Sequence, residues 1–139
     1  MAKKLIELST HPKSGFYLDN YDELVKTLLE LKESKTPTLL LGVSYALRDL
    51  AEKNVRLDEN FIVMETGGMK GRREEILKSE LHDILKYKLG IEQVHSEYGM
   101  TELLSQAYSK KDGVFETTPW MRILIRDTND PFSYLAAAK

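Results

Sequence analysis

Residues 38–54 read TLLLGVSYALRDLAEKN, and the change of period inside this stretch decides the fold class. Its first part, Thr38 to Val43, is a continuous apolar run of strand length, which fits a strand covered on both faces in a parallel sheet. Thr36-Pro37 marks its start, because a proline holds the preceding residue out of the helical region. From Ser44 the pattern changes, and Ala46, Leu47, Leu50 and Ala51 fall on one face of a helix. A strand that runs straight into a helix is half of a β-α-β unit, since parallel strands need a long crossover between them.

The same alternation continues outward. FIVMETGG, Phe61 to Gly68, is a second short apolar strand closed by a glycine turn. Ile76, Leu77, Leu81, Ile84, Leu85 and Leu89 then form one stripe, predicting a helix over Arg72 to Leu89 that Gly90 stops. IEQVHSEYG predicts a third strand, TELLSQAY a short helix, and WMRILIRD a fourth strand with apolar residues at alternate positions. Toward the N-terminus, Asn20 followed by Glu23 reads as a capping box for a helix from about 20 to 34, carried by Leu24, Val25, Leu28, Leu29 and Leu31. The first nineteen residues hold little more than one helical turn of pattern before Ser14-Gly15. The expectation is an α/β fold, a mainly parallel sheet with flanking helices and right-handed crossovers.

A chain of 139 residues suits one domain with a substantial core, and no repeat, linker or low-complexity stretch divides it. We therefore read residues 1–139 as a single α/β segment. The net charge of −2 supplies no general field toward nucleic acid or an anionic membrane, so any anion site must be local. With no cysteine, disulfides, thiolate metal sites and a thiol nucleophile within the chain are excluded. MAKKLIELST is too short and too polar for a signal peptide or a span, which makes a cytoplasmic protein without a membrane span the expectation.

Two stretches carry candidate chemistry, because parallel sheets bind ligands at the carboxyl ends of their strands. In ETGGMKGRRE, Gly67, Gly68 and Gly71 allow close approach of backbone amides to a ligand. Lys70, Arg72 and Arg73 in the opening turn of the expected helix oppose its dipole and so invite an anion, offset in part by Glu74 and Glu75. The other reading of this stretch is a glycine turn feeding a solvated helix. In EYGMTE, Glu97 to Glu102, Tyr98 offers a face for stacking a base and the Tyr98-Gly99 turn leads to Thr101 and Glu102. At a helix N-terminus Thr101 can hold a phosphate and Glu102 a Mg2+ ion; the same two residues also read as an N-cap and a first-turn acid. His82 reads as solvated on a polar helix face, His95 at a strand end beside this site either as a satisfied half-buried histidine or as a ligand or proton carrier, and Trp120 as core or pocket wall.

EYGMTE resembles the (Y/F)GxTE motif of the adenylate-forming, AMP-binding superfamily. Together with SGFYL, LLLGVSYAL, METGGMKGRREE, HSEYGMTELLSQAYS and PWMRILIRD, it resembles the LuxE-type acyl-protein synthetases over nearly the whole chain. The resemblance implies ATP and Mg2+ as cofactors, activation of a fatty or related carboxylic acid to an acyl-adenylate, and transfer of the acyl group to a thiol. An acyl-acceptor protein or reductase subunit would be its partner. By motif, Tyr98 and Gly99 would meet the adenine, Gly67 and Gly68 would line the adenine and acyl pocket, Thr101 would hold a phosphate, Glu102 would ligate Mg2+, and Asp127 would lie near the nucleotide. A TSGTTG-like phosphate loop before residue 14, a TGD-like segment after Pro131 and a small domain with a mobile lysine are features of the family that this sequence lacks. The chain is thus expected to be a piece, incomplete at both ends, of the large N-terminal domain of such an enzyme, inactive by itself and prone to self-association. A phenylacetate-type aryl-CoA ligase is the neighbouring expectation, and a non-catalytic nucleotide-binding or subunit-interaction module the rival from another class.

Overall fold

A computed structural model of the protein describes residues 2–69, 71, 74–100, 105–111 and 113–135. The described elements run α1 (Ala2–Ser9), α2 (Tyr21–Glu33), β1 (Thr38–Val43), α3 (Ser44–Ala51), β2 (Phe61–Thr66), α4 (Lys78–Leu89), β3 (His95–Met100), β4 (Ser105–Ser109), β5 (Glu116–Thr117), β6 (Ile125–Arg126) and β7 (Tyr134–Leu135). Strands β1 to β5 form one sheet in sequence order, while β6 and β7 pair only with each other. The fold is α/β as expected. The main sheet is mixed, however: β1–β2 and β2–β3 pair parallel, β3–β4 and β4–β5 antiparallel.

Helix boundaries follow local chemistry. At the start of α2, Asn20 Oδ1 accepts from the Glu23 amide and Asn20 Nδ2 donates to Glu23 Oε2, so the capping pair forms. At its other end Lys35 takes a left-handed φ of 51°, which lets Thr36 N–H reach Leu31 O and Lys35 N–H reach Lys32 O. Those two bonds end the helix and turn the chain toward Pro37 and β1. Helix α4 stops at Gly90, φ 72°, with the Gly90 and Ile91 amides both bonded to Lys86 O. Arg56 Nη1 donates to Tyr87 O there, placing a cation at the negative end of the helix.

The parallel registers assign faces. Phe61, Val63 and Glu65 of β2 share one face with Thr38, Leu40 and Gly42 of β1, because paired residues point to the same side and side chains alternate. Helices α2, α3 and α4 pack on that face, with Leu28, Leu31, Leu47, Leu50, Leu81, Leu85 and Leu89 joining Phe61 and Val63 in one core. Gly42 lets α3 lie close, since a Cβ there would stand 2.9 Å from Leu47 Cδ2. The opposite face is not covered as the unbroken apolar run suggested: Leu39 is 46% and Ile62 48% exposed.

Three further expectations are corrected. The helix expected from Arg72 begins only at Lys78, with Leu77 extended at φ −62° and ψ 144°. Ile76 packs on the core from this non-helical approach, which is why the apolar stripe looked longer than the helix. Ser105 to Tyr108, the described part of the helix expected for TELLSQAY, belong to strand β4, where Ala107 and Ser109 alternate inward with period two against β3. Of WMRILIRD only Ile125–Arg126 is strand, paired with Tyr134–Leu135. Without a place in the main sheet, its apolar residues Ile123, Leu124 and Ile125 stay exposed, and Trp120 at 74% exposure is neither core nor pocket wall. Among the described residues, no helix is long and apolar enough to cross a membrane.

Candidate functional site

The carboxyl ends of β2 and β3 bring the two stretches together. Thr66 pairs with Glu97 in parallel register, so the chain leaves β2 into Gly67-Gly68 beside the point where β3 continues through Tyr98-Gly99. Thr66 Oγ1 donates to Glu97 Oε2 and ties the two strand ends side chain to side chain. The Glu97 carboxylate folds back over its own strand: a Cβ on Gly99 would meet Glu97 Oε1 at 2.6 Å. Gly67 takes a left-handed φ of 72°, and nothing lies within 4 Å of where a Gly68 side chain would begin. Tyr98 is 42% exposed, so part of its ring is open to a partner. The result is an edge with a glycine turn, open space beside Gly68 and an aromatic face.

Behind this edge lies a buried polar cluster that sequence reasoning missed. Gly42, Glu65, Ser96 and Ser109 form one row across four strands on the helix-covered face. Glu65 is 0% exposed. Ser44 Oγ, at the start of α3, donates to Glu65 Oε2 at 3.1 Å. Lys78 Nζ, at the start of α4, stands 2.7 Å from Glu65 Oε1, an ion pair without a well-directed hydrogen bond. His82 Nε2 lies 3.7 Å from the same oxygen and 3.3 Å from Ser96 Oγ. Burial alone pushes the Glu65 carboxyl up; the His82, Lys78 and Ser96 partners and the Lys78 charge outweigh it and hold the group down at about 2. Glu65 is therefore an ionised carboxylate in the protein interior, balanced by one lysine.

His82 is accordingly buried among these groups instead of solvated on a polar face. The signal was present in the sequence: Glu65 follows Phe61 and Val63 at alternate strand positions, and His82 sits next to Leu81 and three residues before Leu85 on the core stripe. The cluster is not an acyl-transfer triad. Such a relay needs the acid on one ring nitrogen and the hydroxyl on the other, whereas Glu65 and Ser96 both face His82 Nε2.

The remaining candidates are distributed as follows. Thr101, Glu102, Lys70, Arg72 and Arg73 lie outside the described residues. The premise of three cations in a helix's opening turn does not hold, because α4 opens with Lys78, Ser79 and Glu80. Of the helix that was to follow Thr101 and Glu102, Ser105 to Tyr108 are strand. His95 pairs with Met64 at the start of β3, half-buried, and burial followed by the Lys110 charge lowers its pKa. Asp127 follows β6 and spends its carboxylate on its own turn, Oδ1 accepting from the Asn129 and Asp130 amides at 2.7 and 3.3 Å. Among the described residues no three His, Asp or Glu side chains are grouped to hold a metal. No family model, curated protein or solved structure matches the chain.

Proposed function

We propose that the chain is the nucleotide-facing part of an ATP-dependent acyl-activating ligase of the acyl-protein synthetase kind. What supports this reading is one juxtaposition: Gly67-Gly68 leave β2 at its carboxyl end beside Tyr98 and Gly99, which belong to the carboxyl half of β3 and not to the turn expected there, the two strands being paired through Thr66 and Glu97. Open-sheet proteins place nucleotides at such ends. The residues present suit ATP, since Tyr98 has an accessible ring and the backbone at Gly68 is uncrowded. An Mg2+ ion at a nucleotide is held mainly by phosphates, waters and one or two carboxylates, so a protein cage is not required and Glu102 would be its ligand. ATP would supply the adenylate that activates the acid for attack by a thiol. On this reading Tyr98 holds the base, Gly67 and Gly68 line the pocket, and Thr101 meets a phosphate.

The test uses the whole chain and a non-hydrolysable acyl-sulfamate analogue of the acyl-adenylate, followed by calorimetry. Saturable binding is expected, weakened by Tyr98→Ala and preserved by Tyr98→Phe, because stacking needs the face and not the hydroxyl. Absence of binding at millimolar analogue would refute the reading. A second reading, a subunit-interaction module, draws on the exposed Leu39 and Ile62 of the uncovered sheet face. Pyrophosphate exchange with a panel of fatty and aryl acids, run on the chain within its full-length protein, separates ligase from module.

A further inference from the structure

The Gly67-Gly68 peptide has little steric preference of its own, because glycine samples both signs of φ with similar ease. Something else must set its direction. Ser44 Oγ lies 3.3 Å from Gly67 O while also donating to Glu65 Oε2 at 3.1 Å, so one hydroxyl hydrogen is shared between the turn and the buried carboxylate. Glu65 is itself held at its other oxygen, Oε1, by Lys78, with His82 of the His82–Ser96 pair near the same atom. No peptide bond in the described chain is cis, and in a trans peptide the carbonyl and the following N–H point to opposite sides. Drawing Gly67 O inward to Ser44 therefore turns Gly68 N–H outward, away from the buried cluster, at a residue where nothing lies within 4 Å of an added Cβ.

We propose that Glu65, acting through Ser44, is the positioning residue that aims the Gly68 N–H as a hydrogen-bond donor to an anionic oxygen of a ligand at the carboxyl end of β2. The proposal rests on the nucleotide-site reading above and extends it by naming a donor and what aims it. The oxygen belongs to a nucleotide phosphate or to the carboxylate of the acid. Stability alone gives little reason for the arrangement, since a buried ion pair is often no better than apolar side chains of similar volume. Its position one residue from the turn gives it a use.

The experiment is an amide-resolved NMR titration of the full 139-residue chain with pyrophosphate, octanoate and ATP in turn. The Gly68 amide is expected to shift saturably with pyrophosphate or with octanoate, and the one that acts at lower concentration identifies the source of the oxygen. Ser44→Ala is expected to weaken that response about tenfold, the size of one directed hydrogen bond, while Ser44→Thr restores it. Unchanged Leu85 and Leu89 amide signals report that the core is intact in each variant. A Gly68 response to pyrophosphate with no Tyr98 response to ATP would overturn the nucleotide reading and leave this one standing. A Tyr98 response to ATP with Gly68 silent toward all three ligands would overturn this one alone. Wild-type titrations in a folded Ser44→Ala chain would refute the positioning role. If Ser44→Ala does not fold, hydrogen exchange of the ligand-free wild type decides: a fast-exchanging Gly68 amide supports the outward aim, and a strongly protected one overturns it.

Discussion

Replacing Glu65 by Gln keeps its volume and its place in β2 while removing the carboxylate charge that the buried cluster is built around. The carboxyl moves from an ordinary 4.5 to about 2 in the folded chain, and at about 1.36 kcal/mol per unit this represents about 3 kcal/mol of folding stability at neutral pH. Glu65 is fully buried, so solvent screening does not reduce the figure as it would on a surface. The direction is set by the depressed pKa. The contribution is fully present above the unfolded value and disappears as pH falls through the folded one, with about 2 kcal/mol gone by pH 3. At neutral pH Glu65→Gln is expected to be less stable by about 3 kcal/mol or more, because Lys78 loses its counter-charge. Urea unfolding of wild type and variant across pH 2.5 to 7 measures the difference directly, other titrating groups being common to both. The gap should close as the solution is acidified. Parallel pH profiles would show that Glu65 is not ionised in the folded chain and would refute the charge balance assigned to the cluster.

Other expectations are simpler. Lys35 sits at φ 51° where glycine is at ease, so Lys35→Gly should raise stability by about 0.5 kcal/mol, seen as a higher melting temperature. Gly42→Ala places a methyl 2.9 Å from the buried Leu47 side chain and should destabilise by about 1 to 3 kcal/mol in denaturant titrations; a neutral result would mean that α3 is free to shift. On the proposed ligase reading, Glu102→Gln should depress pyrophosphate exchange by the full-length protein and raise the Mg2+ requirement, and equal metal titrations for the two proteins would refute Glu102 as a Mg2+ ligand. The apolar outer sheet face should drive self-association, and Leu39→Lys with Ile62→Lys should shift sedimentation toward monomer; a monomeric wild type at tens of micromolar would contradict this.

The elements legible in the sequence were those whose cues are local. Asn20 and Glu23 bracket a helix start, Gly90 a helix end, and the apolar runs of β1 and β2 stop within a residue of where they were expected. What escaped were facts decided by distant partners. Whether TLLLGV is covered on one face or two depends on where helices pack, and the run itself is indifferent to that. Ser105 to Ser109 joined the sheet because β3 offered an edge, although Thr101 and Glu102 look like the opening of a helix. Around the candidate site, strand-end chemistry singled out the Gly67-Gly68 and Tyr98-Gly99 stretches one by one, and their adjacency through Thr66 and Glu97 is set by the parallel register of β2 and β3. Glu65 was given no role, although its alternation with Phe61 and Val63 points it into the core.

The switch of strand direction at β3 bears on how the chain assembles. Met100 and Ser105, paired across β3 and β4, are near neighbours along the chain, whereas Thr38 and Phe61 are separated by all of α3, and Met64 and His95 by all of α4. Closing a short loop loses less chain entropy and happens sooner than closing a long one. The antiparallel arm is therefore the early element, and β3 reaches the parallel arm already braced on one side. Docking β2 onto that edge then brings Thr66 against Glu97 and encloses Glu65 beneath α3 and α4 in a late step. On this order the Glu65 carboxylate loses its water late, and a chain halted before that step would lack the β2–β3 pairing.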